Sequence, residues 1–184
     1  KAEGTVFCAG ADLKEIAVGN SAALATMKGG FGGITRRERT KPLIAAITGT
    51  AVAGGCEISL SCDLIIASTE TVFGLPEVKR SLVAAAGGLF RLPRALGMAT
   101  AMELIMTGDP LPAQRAFELG MVNKVVLPEQ VLGEAKQLAE RIMANAPLAV
   151  QASRNVAARA LMDDDEALWR ASGKGFQSVV GTED

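Results

Sequence analysis

The chain has 184 residues, 49% hydrophobic and 21% charged, which suits one globular domain, or one with an appended helical piece, and excludes a disordered chain. A chain this long buries roughly 70% of the surface its unfolded form exposes, so neither a disulfide nor a metal staple is required. With 19 basic against 20 acidic residues the formal charge is −1, which makes no electrostatic case for nucleic acid or an anionic membrane as partner.

No His and no Tyr occur anywhere. Ser-His-Asp and Cys-His catalysis and HExxH zinc sites are thereby excluded within these residues, and acid–base work falls to Asp, Glu, Lys or Cys. Cys8, Cys56 and Cys62 are odd in number and form no CxxC pair, which suits buried thiols in a reducing compartment. The cytoplasm is expected, or the mitochondrion if the natural start lies elsewhere, because Lys1 to Gly4 resemble neither a signal peptide nor a native N-terminus. No apolar run approaches the roughly 20 residues that span a bilayer.

Thr5 to Cys8 reads as the end of a strand entering the tight turn Ala9-Gly10-Ala11-Asp12, with Asp12 the N-cap of a helix from Leu13. Gly19 to Gly33 is expected to hold a helix and a loop. Lys41-Pro42 introduces the strand Leu43–Ile47, broken by Gly49, and after Ala53-Gly54-Gly55 the apolar spacing turns helical through Leu60. Asp63–Ala67 and Thr71–Gly74 read as strands, and Ala86 to Leu96 as a helix interrupted by Pro93. Helices over Ala99–Met106 and Ala113–Leu119 stop at Gly108 and Gly120, followed by a strand over Val122–Val126. Glu129 to Ala144 is an amphipathic helix ended by Asn145-Ala146-Pro147, and Leu148 to Met162 is another. Asp163 to Glu166 matches a D-x-x-E capping box for a last helix through Trp169. Strands alternate with helices early and helices dominate late, an α/β fold with a helical C-terminal part.

One device occurs twice: a strand ending in a small-residue turn that opens a helix, at Val6–Lys14 and at Thr50–Glu57. The first amides of a helix lack internal partners and carry the positive end of its dipole, so they suit an anion. Two such turns together would make an oxyanion hole. Either turn alone is also an ordinary strand-to-helix connection. Two glutamates accompany them: Glu57 just inside the second helix, and Glu77 behind Pro76, with Ala84–Gly88 following. A glutamate in a first helical turn is also a plain dipole partner. Cys56 has no base near it in sequence, so a nucleophilic role is set aside. Gly29–Gly33 lacks the ending of a phosphate loop, Arg36–Arg39 reads as a solvated face, and Asp163–Asp165 as a helix start.

The segments FCAGADLKE (Phe7–Glu15), KPLIAAITG (Lys41–Gly49), AGGCEISLSCDLIIAS (Ala53–Ser68) and FGLPEVKRSLVAAAGG (Phe73–Gly88) resemble the crotonase superfamily, the enoyl-CoA hydratase and isomerase family. The resemblance runs through RLPRALG and TGDPLPAQRAFELGMVNKVV into the late helices. It implies a spiral of ββα units over residues 1–127 and a helical trimerisation region over 128–184. It places the oxyanion hole at the amides of Ala11 and Gly54 and the two hydratase carboxylates at Glu57 and Glu77. Ala9, Gly10, Ala11, Asp12, Leu13 and Lys14 fall where family members line the CoA site, while Thr5 stands where some carry Lys. The implied substrate is an acyl-CoA, with CoA part of the substrate and no separate cofactor, metal, nucleic acid or membrane.

Both glutamates favour hydratase or dehydratase activity, because isomerases of the family can work with the one at Glu77. An isomerase, another crotonase-type lyase or hydrolase, and a non-catalytic or RNA-binding homologue are the alternatives, the near-neutral charge speaking against the last. Family members have further strands ahead of the first turn and a helix after Asp184. The chain is therefore expected to be a fragment lacking both, with the full-length protein a homotrimer or hexamer. The acyl pocket is expected to be shaped by residues 19–40 and the C-terminal helices.

Overall fold

A computed structural model of the chain describes residues 4–20 and 24–183. Two short parallel-strand systems carry the first part. One sheet is built from β1 (Val6–Cys8), β5 (Thr50–Val52), β7 (Val72–Gly74) and β8 (Leu111–Pro112), in that order. The other holds β4 (Ile44–Ile47), β6 (Leu64–Ser68) and β9 (Lys124–Val126). β1, β5 and β7 run parallel, with Ala51 opposite both Cys8 and Phe73, and β8 pairs antiparallel to β7. β4, β6 and β9 are parallel throughout.

The chain steps from one sheet to the other at Thr48-Gly49 and again at Thr69-Glu70-Thr71. A buried hydroxyl pair fixes both corners. Ser68 Oγ donates to Thr48 O at 2.9 Å and Thr71 Oγ1 to Ile47 O at 3.0 Å. These bonds satisfy carbonyls that the change of direction removes from the ladder, which burial would otherwise penalise. Each step ends in a helix: α2 (Gly54–Ser61) after β4–β5, and the 3-10 turn Pro76–Arg80 with α3 (Gly88–Leu96) after β6–β7. That repeat is the expected spiral of ββα units. Two side chains lock the second sheet's register, Asp63 Oδ2 accepting from Leu43 N–H at 2.8 Å and Asn123 Oδ1 from Ile65 N–H at 2.7 Å. Ile47, Ala51, Phe73, Leu75, Leu92 and Ala101 lie in one core cluster.

The remaining helices are α1 (Leu13–Ala17), α4 (Met98–Thr107), α5 (Ala113–Glu118), α6 (Val131–Met143), α7 (Pro147–Ala157) and α8 (Asp165–Val179). By its internal contacts the chain forms two compact units. One comprises residues up to Glu38 with Leu43–Ala135, the other Arg39–Pro42 with the chain from Lys136 onward. In the second unit α7 and α8 pack on one another beside a groove of about 420 Å³ lined by Ala149, Ala152, Val156, Gly175 and Phe176. No described helix is long and apolar enough to cross a membrane.

Four local expectations are corrected. The described part of Gly19–Gly33, expected as a helix and a loop, holds the antiparallel strands β2 (Ala25–Thr26) and β3 (Gly30–Phe31), while residues 21–23 lie outside the described part. Positive φ at Gly30, Gly32 and Gly33 bends the chain in a way a helix cannot follow. Pro93 does not interrupt α3, which runs through it to Leu96. α7 stops at Ala157, short of Met162, and Arg159 pairs with Asp163 just beyond. Asp164, not Asp163, caps α8, its Oδ1 accepting from Ala167 N–H at 2.7 Å.

Candidate active site

Three turns leave the carboxyl ends of adjacent parallel strands, and the candidate residues sit on them. β1 runs into Ala9–Asp12, β5 into Ala53 and α2, and β7 into Leu75 and the 3-10 turn. Because β1, β5 and β7 are neighbours in one sheet, segments far apart in sequence emerge side by side.

The first two turns touch. Gly10 has φ 100°, and a Cβ built on it would stand 2.8 Å from Ala53 Cβ and 3.1 Å from the Gly54 nitrogen. Only glycine lets the two backbones approach this closely. The peptide that follows Gly10 carries the Ala11 amide. Ala53 is bent into positive φ (φ 51°, ψ −127°), a conformation that costs on the order of 1–3 kcal/mol where a Cβ is present. It redirects the chain from strand to helix: its N–H donates to Gly74 O at 2.9 Å and its carbonyl accepts the Glu57 amide at 3.1 Å. Among hydrogen bonds between described residues, none is donated by the amide of Ala11 or of Gly54.

The segment expected to line the CoA site is open. Ala9, Asp12, Leu13 and Lys14 are exposed, and Gly10 and Ala11 half-buried. Asp12 caps α1, as its sequence position implies, accepting from Lys14 N–H at 2.8 Å.

Glu57 rises from the first turn of α2 and is only 3% exposed. Its Oε1 accepts the Gly88 N–H at 2.9 Å. Burial pushes the carboxyl above the usual range, against the opposing pull of the Gly88 and Ala86 backbone and of the Arg91 guanidinium. Glu77, on the 3-10 turn, is half-buried and also raised by burial; its own backbone amide opposes this and the charge of Glu57 adds to it. Its Oε2 is buried with no hydrogen-bond partner, an oxygen placed where a proton or a ligand atom would satisfy it. Cys56 is fully buried, and burial pushes its thiol up to about 12, the backbone at Gly74 opposing and both glutamates adding. A thiol held neutral is no nucleophile. The charge of Glu57 acts on Glu77, and both act on Cys56.

Three residues that serve this region escape sequence reading. Gly88 supplies the amide that holds Glu57, and the Gly87-Gly88 pair was the one hint of it. Arg91 donates to Thr35 O at 2.7 Å and Ala86 O at 3.2 Å. Phe31 lies over Gly54, its Cζ 2.6 Å from where a Cβ would stand. Neither has a sequence signal, since each acts through long-range contact.

The chain is 39% identical over 182 residues to a short-chain-enoyl-CoA hydratase of Clostridium acetobutylicum, covering 97% of this chain and 69% of that one. It is 42% identical over 151 residues to a carnitinyl-CoA dehydratase of Proteus mirabilis, covering 82% and 58%. Among solved structures, an enoyl-CoA hydratase from Mycobacterium tuberculosis matches with a TM-score of 0.91 and 46% identity, over 99% of this chain and 71% of that one. The chain thus spans between 58% and 71% of these relatives' lengths. The expectation of a fragment is corrected to what the comparisons show: the family's pattern is met from one end of this chain to the other, in a chain that covers 69% and 71% of two of these relatives. That pattern, enoyl-CoA hydratase/isomerase, is matched over residues 2–184, and the chain belongs to that family.

Proposed function

We propose that the chain binds an acyl-CoA thioester and adds or removes water across its 2,3 double bond, through an enolate held by the amides of Ala11 and Gly54. The observation that supports this reading is a pair of raised carboxyls on separate elements that act on one another: Glu57, in the helix opened by the second small-residue turn, and Glu77, on the 3-10 turn. Relatives named as a hydratase and a dehydratase agree with it.

The chemistry uses each part. Water attacks the β-carbon of a trans-2-enoyl thioester, and negative charge gathers on the thioester oxygen. One aimed N–H donor contributes about 2.7–4 kcal/mol to holding such a charge. Glu57, fixed by Gly88, orients and activates the water. Glu77, with an unpartnered oxygen, delivers the proton to the α-carbon. One carboxyl must be protonated while the other is ionised, and burial with mutual repulsion favours that mixed state. Ala9 to Lys14 carry the CoA portion, which is substrate and not cofactor.

The test is loss of the conjugated enoyl-thioester absorbance on adding protein, with Glu77→Gln alongside. The variant, folded, is expected to be slower by about 10²–10⁴-fold; near-normal hydration by it would defeat the assignment.

The same reading divides the chain into a catalytic spiral, residues 1–127, and a helical region, 128–184, through which copies associate as a homotrimer or hexamer. Met143, Trp169 and Phe176 are 79%, 76% and 70% exposed, large apolar surfaces that association would cover. Sedimentation showing only monomer would remove the assembly.

A further inference from the structure

We infer that Arg91 is a positioning residue for Glu57: its guanidinium brackets the carbonyls of Thr35 and Ala86, and so holds the Gly88 loop and the Phe31 hairpin in one arrangement around that carboxyl. This rests on the proposed role of Glu57, although the bracket itself is a matter of geometry.

Two segments meet at this side chain. On one side Nη1 donates to Ala86 O at 3.2 Å, and the guanidinium folds over Gly87, where a Cβ would stand 3.0 Å from Cζ. Gly88, next in sequence, gives its amide to Glu57 Oε1. On the other side Nη2 donates to Thr35 O at 2.7 Å. Thr35 closes the turn that follows the hairpin's second strand: its N–H donates to Phe31 O at 3.3 Å, and the Arg36 N–H donates to Gly29 O at 2.9 Å. Thr35 is 2% exposed, so its carbonyl needs an internal partner. Through that carbonyl the arginine fixes the turn that lays Phe31 over Gly54. The Phe90 ring, 5.2 Å from Cζ, supports the guanidinium from its own helix.

A planar fork suits two carbonyls on separate segments, where an ammonium offers one point of charge. The positive charge also opposes the burial that raises the Glu57 carboxyl. The other ionisable groups facing Glu57 are Glu77, whose charge acts the opposite way, and Cys56, which stays neutral. Arg91 therefore has two separable effects: its charge favours ionised Glu57, and its fork fixes the surrounding backbone.

The experiment separates them without needing turnover. In protein carrying 13C-labelled glutamate carboxyls, the Glu57 signal is identified by its loss in Glu57→Gln and titrated in wild type, Arg91→Met and Arg91→Lys. Arg91→Met is expected to raise the Glu57 titration and to speed amide exchange at Thr35 and Arg36. Arg91→Lys is expected to titrate close to wild type while its hairpin exchanges as fast as in Arg91→Met. Wild-type exchange at the hairpin in Arg91→Lys, or an unmoved Glu57 titration in folded Arg91→Met, overturns the bracket. Should Arg91→Met fail to fold, the Arg91→Lys exchange still decides. A wild-type protein that hydrates no enoyl thioester, yet shows these shifts, sinks the proposed function and leaves the bracket standing.

Discussion

The spiral and the C-terminal helices use apolar residues in opposite ways. Among the described residues, every buried one lies between Gly29 and Ala135, while α7 and α8 bury none. The spiral closes its own core and then spends buried volume on polar groups: Glu57, Ser59, Ser68 and Thr71 are all inside it. Such groups are tolerable only where hydrogen bonds are supplied, as they are to Glu57 and at the sheet corners. The helices carry the reverse pattern, large apolar side chains outside and small ones in the groove between them. The carboxyl proposed for catalysis lies in the first region, and the exposed apolar surface proposed for association in the second.

One substitution type exposes the contrast most sharply. A methyl added by Gly54→Ala would drive into the Phe31 ring and displace a proposed oxyanion donor, with turnover expected to fall by about 10²–10³-fold in steady-state assays. The same methyl at Gly173 in α8 meets nothing within 4 Å. Gly173→Ala should leave turnover alone and stabilise by about 0.4–1 kcal/mol in denaturant melts. Equal effects at the two positions would dissolve the distinction.

Core truncation should follow the same division. Leu92 is 1% exposed within the spiral's cluster, and Leu92→Ala is expected to cost about 2–5 kcal/mol by urea unfolding. Phe176→Ser should change the unfolding free energy of dilute protein by no more than about 0.5 kcal/mol, yet reduce association measured by sedimentation.

The smallest effect is a dependence on pH. Burial raises the folded-state values of Glu57 and Glu77, so the folded chain holds those protons more tightly than the unfolded one. The contribution favours folding in acid below about pH 4.3 and is lost as pH rises through the raised values. Glu77→Gln cannot ionise, so its melting temperature should exceed wild type at neutral pH and match it in acid. A reversed order would mean that the pair is held ionised by groups other than those described.

Much of this was legible from local pattern. Strands of apolar residues broken by glycine, the cap at Asp12, and the opening of α2 at a small-residue turn just ahead of Glu57 are written in neighbouring residues. The β2–β3 hairpin was not, because its glycines serve positive φ at particular positions and look the same as helical spacers in one dimension. β8 escaped notice since two residues pair there only because β7 offers a partner. The Gly88 and Arg91 contacts with Glu57 and Thr35 depend on sheet order, which brings distant turns together. Leu148 to Met162 kept helical spacing past Ala157, where an arginine–aspartate pair closes a turn in place of another helical one.

The thiol at Cys56 has a practical corollary. Fully buried and held protonated in neutral solution, it is shielded from alkylating agents and peroxide while the chain is folded. Cys8 and Cys62 are only partly covered. A maleimide count of modified sulfurs per molecule would thus act as a gauge of opening: a third adduct appears only when the buried start of α2 comes apart.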